Sequence, residues 1–219
     1  MLIIYTFVYF LELLYHNLYN KPMIKVALTG NIASGKSEVE KVISSLGIKV
    51  LDTDKVSHDL LENDDEAKNE IRLIFGPDVF NDDGQISRKK LADIVFADKD
   101  KLKRLERIIH PKVFKKIGEF FTENKEDEIC VVSVPQLFET NTQMAFDKIV
   151  LVTATEQNRL QRLMARNNMS EDEAKLRISA QMSDSGKISQ SDFVLYNDKD
   201  LNYLQNQVSA VFTLIRLLP

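Results

Sequence analysis

Residues 30–37 read Gly-Asn-Ile-Ala-Ser-Gly-Lys-Ser and match the pattern Gly-x-x-x-x-Gly-Lys-Ser/Thr. Gly30 and Gly35 permit backbone angles that side chains forbid, so that consecutive N–H groups can point inward at a phosphate. A helix beginning near Lys36 offers its positive end to the same anion. In this pattern Lys36 reaches the β- and γ-phosphates of a nucleoside triphosphate, and the Ser37 hydroxyl ligates Mg²⁺.

The segments on either side of the loop are those that a phosphate loop requires. Residues 23–28 form a short apolar run typical of a buried parallel strand. After the loop, apolar residues fall on one helix face: Val39, Val42, Ile43 and Leu46. Gly47 stops this helix, and residues 48–51 form a second strand. The order of strand, loop, helix and strand is a βαβ unit. The residues predicted to hold the nucleotide are Asn31, Ile32, Ala33, Ser34, Gly35, Lys36, Ser37 and Glu38.

Beyond residue 54 the chain alternates helices and strands. Residues 55–126 are charged and helical in pattern, and the helices predicted there are 66–75, 88–97, 99–109 and 112–123. Further strands are predicted at 129–134, 148–152 and 193–196, and further helices at 156–167, 170–182 and 200–217. The helix at 170 opens on a capping box, Ser170 with Glu173. The predicted fold is α/β: a P-loop NTPase αβα core with a parallel sheet, a helical substrate-binding insertion and a helical lid.

Composition excludes several classes of protein. The chain has 219 residues, with 29 Lys and Arg against 33 Asp and Glu, and a net charge of −4. This acidic balance disfavours bulk nucleic-acid binding. Cys130 is the only cysteine, so an intrachain disulfide and a cysteine-rich zinc site are both excluded, and a reducing, cytoplasmic setting is expected.

Residues 1–22 differ from the rest of the chain, because four of the six tyrosines lie there among Leu, Ile and Phe. A membrane anchor or signal segment is disfavoured, since the run is short, is interrupted by Glu12 and has no basic start. We interpret 1–22 as an atypical apolar extension, either a translated upstream stretch or an ordered extra helix, ahead of a domain at 23–219.

Three classes of phosphate-loop protein compete. A GTPase switch needs an Asn-Lys-x-Asp motif, which the sequence lacks. A motor or transporter ATPase usually has an apolar strand ending in Asp, whereas residues 131–134 end in Pro135. A small-molecule kinase needs an acceptor base and mobile arginines over the triphosphate. This chain has candidates for both.

The candidate base lies at the end of the second strand. Asp52 and Asp54, at i and i+2 on an extended segment, are expected to point the same way, and either could orient Mg²⁺ or accept a hydroxyl proton. Turn-forming aspartates are the alternative. The candidate arginines share one face of the helix at 156–167: Arg159, Arg162 and Arg166. Alone, such a stripe is typical of a solvated face, but beside a phosphate loop it supplies the cations that phosphoryl transfer needs.

With these residues in place, the chain resembles the dephospho-coenzyme A kinases from residue 23 to about 215. The motifs that carry the resemblance are A-L-T-G-x-I-x-S-G-K-S at 27–37, L-G-I-x-V-x-D-x-D at 46–54, the stretch 75–96 with Asp83-Gly84 and Arg88, His110-Pro111, V-P-x-L-F-E at 134–139, the pair Arg162 and Arg166, Gln181, and Asp192 with Asn197. The loop is generic to phosphate-loop proteins, whereas the other motifs in this order are specific to the family.

The resemblance implies ATP- and Mg²⁺-dependent phosphorylation of the ribose 3′-hydroxyl of dephospho-coenzyme A. Asp54 would be the base, Lys36 would bridge the phosphates and Arg162 would close over ATP. The acceptor would be held by Asp52, Asp54, Arg88, His110 and Arg166. The core would comprise 23–54, 127–155 and 190–219, with a coenzyme-A-binding insertion at 55–126 and a lid at 156–189. His110 has a turn or capping role as its alternative, and His58 is interpreted as a surface residue.

The sequence departs from the family pattern at a few positions. Asn31 and Ala33 stand where the loop usually has Gly, and Glu38 stands where it usually has Thr. Gln136 replaces an apolar residue, and Asn167 and Asn168 replace an acidic one. Both essential glycines remain, so ATP binding is expected with a stiffer loop. The alternatives are a nucleotide or shikimate type of kinase, or a nucleotide-dependent binding module, and the oligomeric state stays open.

Overall fold

The computed structural model describes residues 22–218, which contain five strands in one sheet. The strands are β1 (Ile24–Gly30), β2 (Lys49–Asp52), β3 (Ile129–Ser133), β4 (Lys148–Thr153) and β5 (Phe193–Tyr196). Their order is β2-β3-β1-β4-β5, and β4 pairs in parallel with both β1 and β5. The predicted parallel α/β sheet is confirmed. The apolar extension at 1–22 lies outside the described residues except for Pro22, and its interpretation stays a prediction.

Nine α-helices accompany the sheet within the described part of the chain. They are α1 (Lys36–Ser45), α2 (Thr53–Asn63), α3 (Asp65–Phe75), α4 (Arg88–Phe96), α5 (Lys99–Glu123), α6 (Glu156–Asn167), α7 (Glu171–Ser179), α8 (Asp184–Ile188) and α9 (Leu201–Leu217). The chain divides into two compact units. The first comprises 22–50, 124–131 and 136–218, and the second comprises 51–123 and 132–135.

An apolar core between the sheet and helices α1 and α9 holds the first unit together. Every residue of β1 except Lys25 is buried, as a central parallel strand requires. Helix α9 buries one face: Leu204, Val208, Phe212 and Ile215. Burying each side chain of this size contributes about 1.5–3 kcal/mol relative to exposure. The core therefore fixes the end of β1, where the glycine-rich loop begins.

The helices predicted at 99–109 and 112–123 are one helix, α5, with Pro111 inside it. Proline removes one backbone hydrogen bond, which usually ends or kinks a helix. The apolar face nevertheless continues across Pro111, with Ile108 and Ile109 before it and Val113 after it all buried. This face packs against α2, α3 and α4, which offsets the lost bond. The expectation that His110 lies at a helix junction is wrong.

Helix α2 replaces the extended geometry expected around Asp54. Asp52 ends β2 and caps α2, because its Oδ1 accepts a hydrogen bond from the backbone N–H of Asp54 at 3.0 Å. Asp is among the strongest N-cap residues, so a helix starts at Thr53. The two carboxylates therefore do not project from one extended segment, and that prediction is wrong.

Helix α6 has the predicted bounds, and the predicted capping box of α7 is present. The helix predicted to run to 182 ends at Ser179, and the short helix α8 follows. The sequence pattern did not separate these two helices, because the break at 180–183 carries neither Gly nor Pro.

Asp64 and Lys112 link α3 to α5 in the second unit. Asp64 caps α3 by accepting from the backbone N–H of Ala67 at 2.7 Å, and its Oδ1 lies 3.3 Å from Lys112 Nζ. The hydrogen bond from Ala67, aided by Lys112 against the opposing effect of burial, holds the pKa of Asp64 below its usual value. Lys112 also pairs with Glu66, and this hydrogen bond raises the pKa of Lys112.

Candidate active site

The glycine-rich loop follows β1 and is closed by a turn in which Ser34 N–H donates to Asn31 O at 3.1 Å. Gly35 has φ +96°, and a Cβ there would lie 1.9 Å from Asn197 Nδ2. A Cβ on Gly30 would lie 2.6 Å from both Ser34 Oγ and Val152 O. Both glycines are therefore required for space. Gly35 is also required for its backbone angle.

Ala33 adopts a left-handed conformation, with φ +61°, at a position where the resemblance expects glycine. Its side chain packs against a small apolar cluster of α6 and α7 that contains Leu163, Ala174 and Ile178. The cost of this backbone conformation for a residue with a Cβ is about 1 kcal/mol, and the packing offsets it. The side chain of Ala33 thus helps to hold the loop against α6 and α7.

Helix α1 begins at Lys36 with Gly35 as its N-cap, so its positive end faces the loop. Lys36 Nζ lies 2.8 Å from Glu40 Oε1, one turn further along α1, and both side chains are largely buried. Glu38 lies 3.0 Å from Lys41. The negative charge that the sequence places near the loop is therefore partly balanced by Lys41.

A cleft of about 280 Å³ opens beside the start of α1. Its lining residues are Gly35, Ser37, Glu38, Arg162, Asn197, Leu201 and Leu204. The end at the loop is polar, whereas the two leucines of α9 form an apolar wall. The cleft thus combines an anion-binding helix terminus with a surface suited to a flat apolar group.

Three of the loop residues predicted from the sequence line this cleft together with Arg162. The Arg162 Nη2 donates to Asn197 O at 2.7 Å, and Nη1 donates to Ser34 O at 3.4 Å. Asn197 Nδ2 donates to the same Ser34 carbonyl at 2.9 Å. Arg162 therefore lies beside the loop, and its role toward a nucleotide stays a prediction.

The other two arginines of α6 have different surroundings. Arg159 is buried, and its Nη1 donates to Asp184 Oδ1 at 3.4 Å. Arg166 is exposed and donates to Asn167 Oδ1 at 2.9 Å within its own helix. The three arginines predicted as one stripe therefore occupy a buried, a cleft-lining and an exposed position, and Arg166 is not among the cleft residues.

Asp198, the neighbour of Asn197 after β5, fixes the start of α6. Its Oδ1 accepts from Thr155 N–H at 2.7 Å and from Asn158 Nδ2 at 2.9 Å. Burial by itself would raise the pKa of Asp198, but these hydrogen bonds outweigh it and hold the pKa below its usual value. Nothing in the sequence pattern indicated Asp198, because its partners lie about 40 residues earlier in the chain.

The first half of the loop contacts the segment between α7 and α8 and the first residue of α8. Asn31 Nδ2 donates to Asp184 Oδ1 at 2.5 Å and to Met182 O at 3.0 Å. The backbone N–H of Ile32 donates to Gln181 Oε1 at 2.7 Å. Gln181 carried part of the family resemblance, whereas Asp184 was missed.

A further missed residue is Lys187 of α8, whose side chain is fully buried. Its Nζ lies 2.8 Å from Oε1 of Glu139, the last residue of the V-P-x-L-F-E motif. A single Lys in a sequence is normally predicted to lie at the surface, so only the fold reveals its ion pair with Glu139.

Of the predicted acceptor-side residues, four lie in the second unit, namely Asp52, Asp54, Arg88 and His110, whereas Arg166 lies in the first. Asp54 is exposed in the first turn of α2, and His58 follows four residues later on the same helix face. Arg88 Nη2 donates to His58 Nε2 at 2.8 Å. His58 is exposed as expected, but it is hydrogen-bonded to a predicted substrate residue, which the sequence did not indicate. His110 is half-buried within α5.

Within residues 22–218 there is no cluster of three or more His, Cys, Asp or Glu side chains arranged to hold a metal ion. No helix of that same range is long and apolar enough to cross a bilayer.

The parallel sheet, the loop around the start of α1 and the arginine on the loop carbonyl together define a phosphate-loop protein of the kinase type. The family model described as dephospho-CoA kinase matches residues 24–202, which is most of the chain. The chain therefore belongs to the dephospho-CoA kinase family and is a nucleotide-using phosphotransferase.

Individual relatives agree with this assignment. A dephospho-CoA kinase of Listeria monocytogenes is 38% identical over 189 residues, which cover 84% of this chain and 92% of the relative. A crystal structure of a Thermus thermophilus protein superposes with a TM-score of 0.78 at 33% identity, covering 88% of this chain and 98% of that one. The dephospho-CoA kinase from Campylobacter jejuni has a TM-score of 0.68 at 28% identity, with 88% and 97% covered.

Proposed function

We propose that this protein transfers the γ-phosphoryl group of ATP to the ribose 3′-hydroxyl of dephospho-coenzyme A, giving coenzyme A and ADP in the last step of coenzyme A synthesis. The observation that carries the proposal is the loop of residues 31–38 at the end of β1 with Arg162 held on its Ser34 carbonyl. The family membership supplies the acceptor.

The triphosphate is proposed to bind at Asn31 to Glu38, against the positive end of α1. Lys36 would exchange its contact with Glu40 for the β- and γ-phosphates, and Arg162 would contribute a second positive charge. The adenosine would lie against Leu201 and Leu204, because these side chains form the apolar wall of the cleft. The Ser37 hydroxyl, at the start of α1, fits a Mg²⁺ ligand. When bound there, Mg²⁺ would neutralise part of the negative charge of the triphosphate.

Asp54 is proposed as the acceptor base. The 3′-oxygen attacks the γ-phosphorus, the bond from that phosphorus to the β–γ bridging oxygen breaks, and ADP leaves. The hydroxyl proton passes to the Asp54 carboxylate, which is exposed on the first turn of α2. Because the transition state is loose, positioning and charge neutralisation matter more than covalent help.

The helical insertion at 55–126 is proposed to hold the acceptor, with Asp52, Arg88 and His110 as binding residues. The segment at 156–189 is proposed as a lid, to which Arg166 would add an acceptor contact. Closure of a lid excludes water, which otherwise competes with the hydroxyl for the phosphoryl group. A reducing, cytoplasmic setting fits the lone, buried Cys130.

The test is coupled ADP release by the protein with Mg·ATP, with and without dephospho-coenzyme A. Release that depends on this acceptor, with coenzyme A as the product, is expected. ADP release with shikimate or a nucleoside monophosphate instead would identify another small-molecule kinase. ATP binding without release for any acceptor would identify a nucleotide-binding module.

A further inference from the structure

Asn31 and Ala33 stand where the family pattern usually has glycine, and both side chains contact the same region of the chain. Asn31 hydrogen-bonds to residues 182 and 184, and Ala33 packs against the apolar cluster of α6 and α7. A loop with glycine at both positions would lack these contacts. The departures from the family pattern therefore have a shared structural consequence, which is a fixed first half of the loop.

The contacts of Asn31 are specific in their geometry. The residue is only 4% exposed, and its side-chain Nδ2 has an acceptor for each of its two hydrogens. Those acceptors determine the orientation of the carboxamide, because the opposite orientation would place an oxygen against two oxygens. Asp184 is in turn held by the buried guanidinium of Arg159.

A third hydrogen bond strengthens this connection, from Ile32 N–H to Gln181 Oε1. The residues Asn31, Ile32, Gln181, Met182 and Asp184 are called the clasp below. The second half of the loop is held separately, through the bonds of Asn197 and Arg162 to Ser34 O. The first half is therefore tied to residues outside the loop through the clasp.

We propose that Asn31 is a positioning residue that pre-orders the phosphate loop for the triphosphate, acting through Asp184. This inference rests on the proposed ATP site. A loop that is mobile before binding must lose its conformational freedom when the ligand arrives, and that loss weakens the observed affinity. A loop that is already fixed binds more tightly for the same contacts.

The test measures Mg·ATP binding to the full chain by calorimetry, in the absence of acceptor, for Asn31→Gly, Asp184→Ala and the double variant. Each single substitution is expected to raise Kd by roughly five- to tenfold, the effect of one or two net hydrogen bonds. The double variant should raise Kd by less than the product of the two single effects, because both substitutions remove the hydrogen bond between Asn31 and Asp184. The KM for ATP should rise by the same factor, with a smaller change in kcat.

Two conservative changes serve as controls. Asp184→Asn retains an oxygen acceptor for Asn31 but removes the negative charge that faces Arg159, so its Kd should rise less than that of Asp184→Ala. Asn141→Gly makes the same chemical change at an exposed residue outside the clasp that also has a positive φ, +53°, and should leave Kd unchanged.

Hydrogen exchange at the Ile32 amide provides a second readout. If Asn31 only stabilised the fold, the protection of this amide and the affinity for ATP would not change together. In nucleotide-free protein the Ile32 amide should lose protection in Asn31→Gly, and ATP should restore it. An unchanged Kd with lost protection would overturn the proposal, as would tighter binding, which would mean that the clasp obstructs the nucleotide. If Asn31→Gly does not fold, Asp184→Ala tests the same connection from its other end. Failure of acceptor-dependent ADP release in the natural protein would overturn only the proposed reaction, because binding is measured without acceptor.

Discussion

The Nη2 of Arg162 donates a hydrogen bond to the backbone carbonyl of Asn197 over 2.7 Å. Asn197, which follows β5, also donates to Ser34 O in the loop. Because Arg162 of α6 donates to the same oxygen, these three parts of the protein meet at the Ser34 carbonyl. The guanidinium therefore contacts the loop directly. A movement of Arg162 onto a triphosphate would exchange two carbonyl acceptors for phosphate oxygens, which are the stronger partners of a guanidinium.

Arg162→Ala should slow phosphoryl transfer by about 10²–10³-fold, the effect of removing one preorganised donor to developing charge. The Kd for Mg·ATP should change much less, because the charge of Arg162 matters most in the transition state. Single-turnover rates and calorimetric Kd values separate these effects. Arg177→Ala, which removes an exposed arginine of α7, is the matched control. An unchanged transfer rate in Arg162→Ala would show that this arginine does not act on the transferred phosphoryl group and has only a structural role.

Asp54→Asn should lower kcat by roughly 10²–10⁴-fold, since the amide cannot accept the hydroxyl proton. The Kd for Mg·ATP should stay within about twofold, because Asp54 is assigned to the acceptor and not to the nucleotide. Steady-state kinetics with dephospho-coenzyme A checks the first expectation. Asp59→Asn makes the same change on the exposed surface of the same helix and should leave kcat unaltered. Near-normal turnover in Asp54→Asn would reject the base assignment.

Gly35→Ala and Gly47→Ala separate backbone strain from loss of space. Both glycines have a positive φ, but a Cβ on Gly47 meets nothing within 4 Å, whereas one on Gly35 overlaps Asn197. Gly47→Ala should cost about 1 kcal/mol of unfolding free energy and leave ATP binding intact. Gly35→Ala should in addition weaken ATP binding by more than about tenfold, because Asn197 and Ser34 must move apart. Thermal unfolding and calorimetry on both variants make the comparison. Equal ATP affinity in the two variants would contradict this account.

Glu40→Gln should tighten Mg·ATP binding by about two- to fivefold at low ionic strength. The carboxylate of Glu40 holds Lys36 at 2.8 Å, so it competes with the phosphates for the loop lysine. Glu38→Gln removes an equal charge from the same helix but leaves the contact of Lys36 in place. A larger gain for Glu40→Gln than for Glu38→Gln is expected. Weaker binding in Glu40→Gln would instead show that Glu40 orients Lys36 for the nucleotide.

Asp64 should give the second unit an acid-sensitive component of stability. Its pKa is lowered in the folded protein, so its contribution is present above the unfolded pKa of about 3.9 and is lost as the pH falls through the folded pKa. Asp64→Asn, which keeps a capping side chain, should reduce unfolding free energy by about 0.5–1 kcal/mol at pH 7 and less at pH 3. Urea titrations between pH 3 and 7 measure this difference.

The raised pKa of Lys112 has the opposite sign. Its contribution is present below the unfolded value of about 10.4 and is lost as the pH rises through the folded pKa. For the Asp64→Asn variant, the matched control is Asp82→Asn, which changes an exposed loop carboxylate of the same unit. A difference between Asp64→Asn and the natural protein that did not change with pH would assign the effect to packing.

Local chemistry made much of the fold predictable. The loop of 30–37, the bounds of α6 and the capping box of α7 all follow from residues that are close in sequence. Two predictions failed for different reasons: in one, tertiary contacts outweighed a local rule, and in the other, a local helix cap ended the strand earlier than expected. Pro111 was expected to separate two helices, but the apolar face around it keeps α5 continuous. Asp54 was expected in an extended segment, but the cap by Asp52 starts a helix there.

The candidate site was less predictable than the loop itself. Arg162 was recognisable because its spacing placed it on one helix face with two other arginines and the family resemblance assigned it to the lid. Asp184, Lys187 and Asp198 were not, because their partners lie between about 25 and 150 residues away in sequence. Such pairs follow from the packing of helices onto the sheet and have no periodic signature in one sequence.

The burial of Cys130 has a practical consequence for spectroscopy. The thiol lies within β3, where burial raises its pKa to about 11. At neutral pH it stays protonated and shielded, and both conditions slow alkylation. Since it is the only cysteine of the chain, the natural protein already provides an unreactive background for thiol-directed dyes. A cysteine introduced at exposed Gln161 on α6 would be the one fast-reacting label, ready to report distance changes when nucleotide is added.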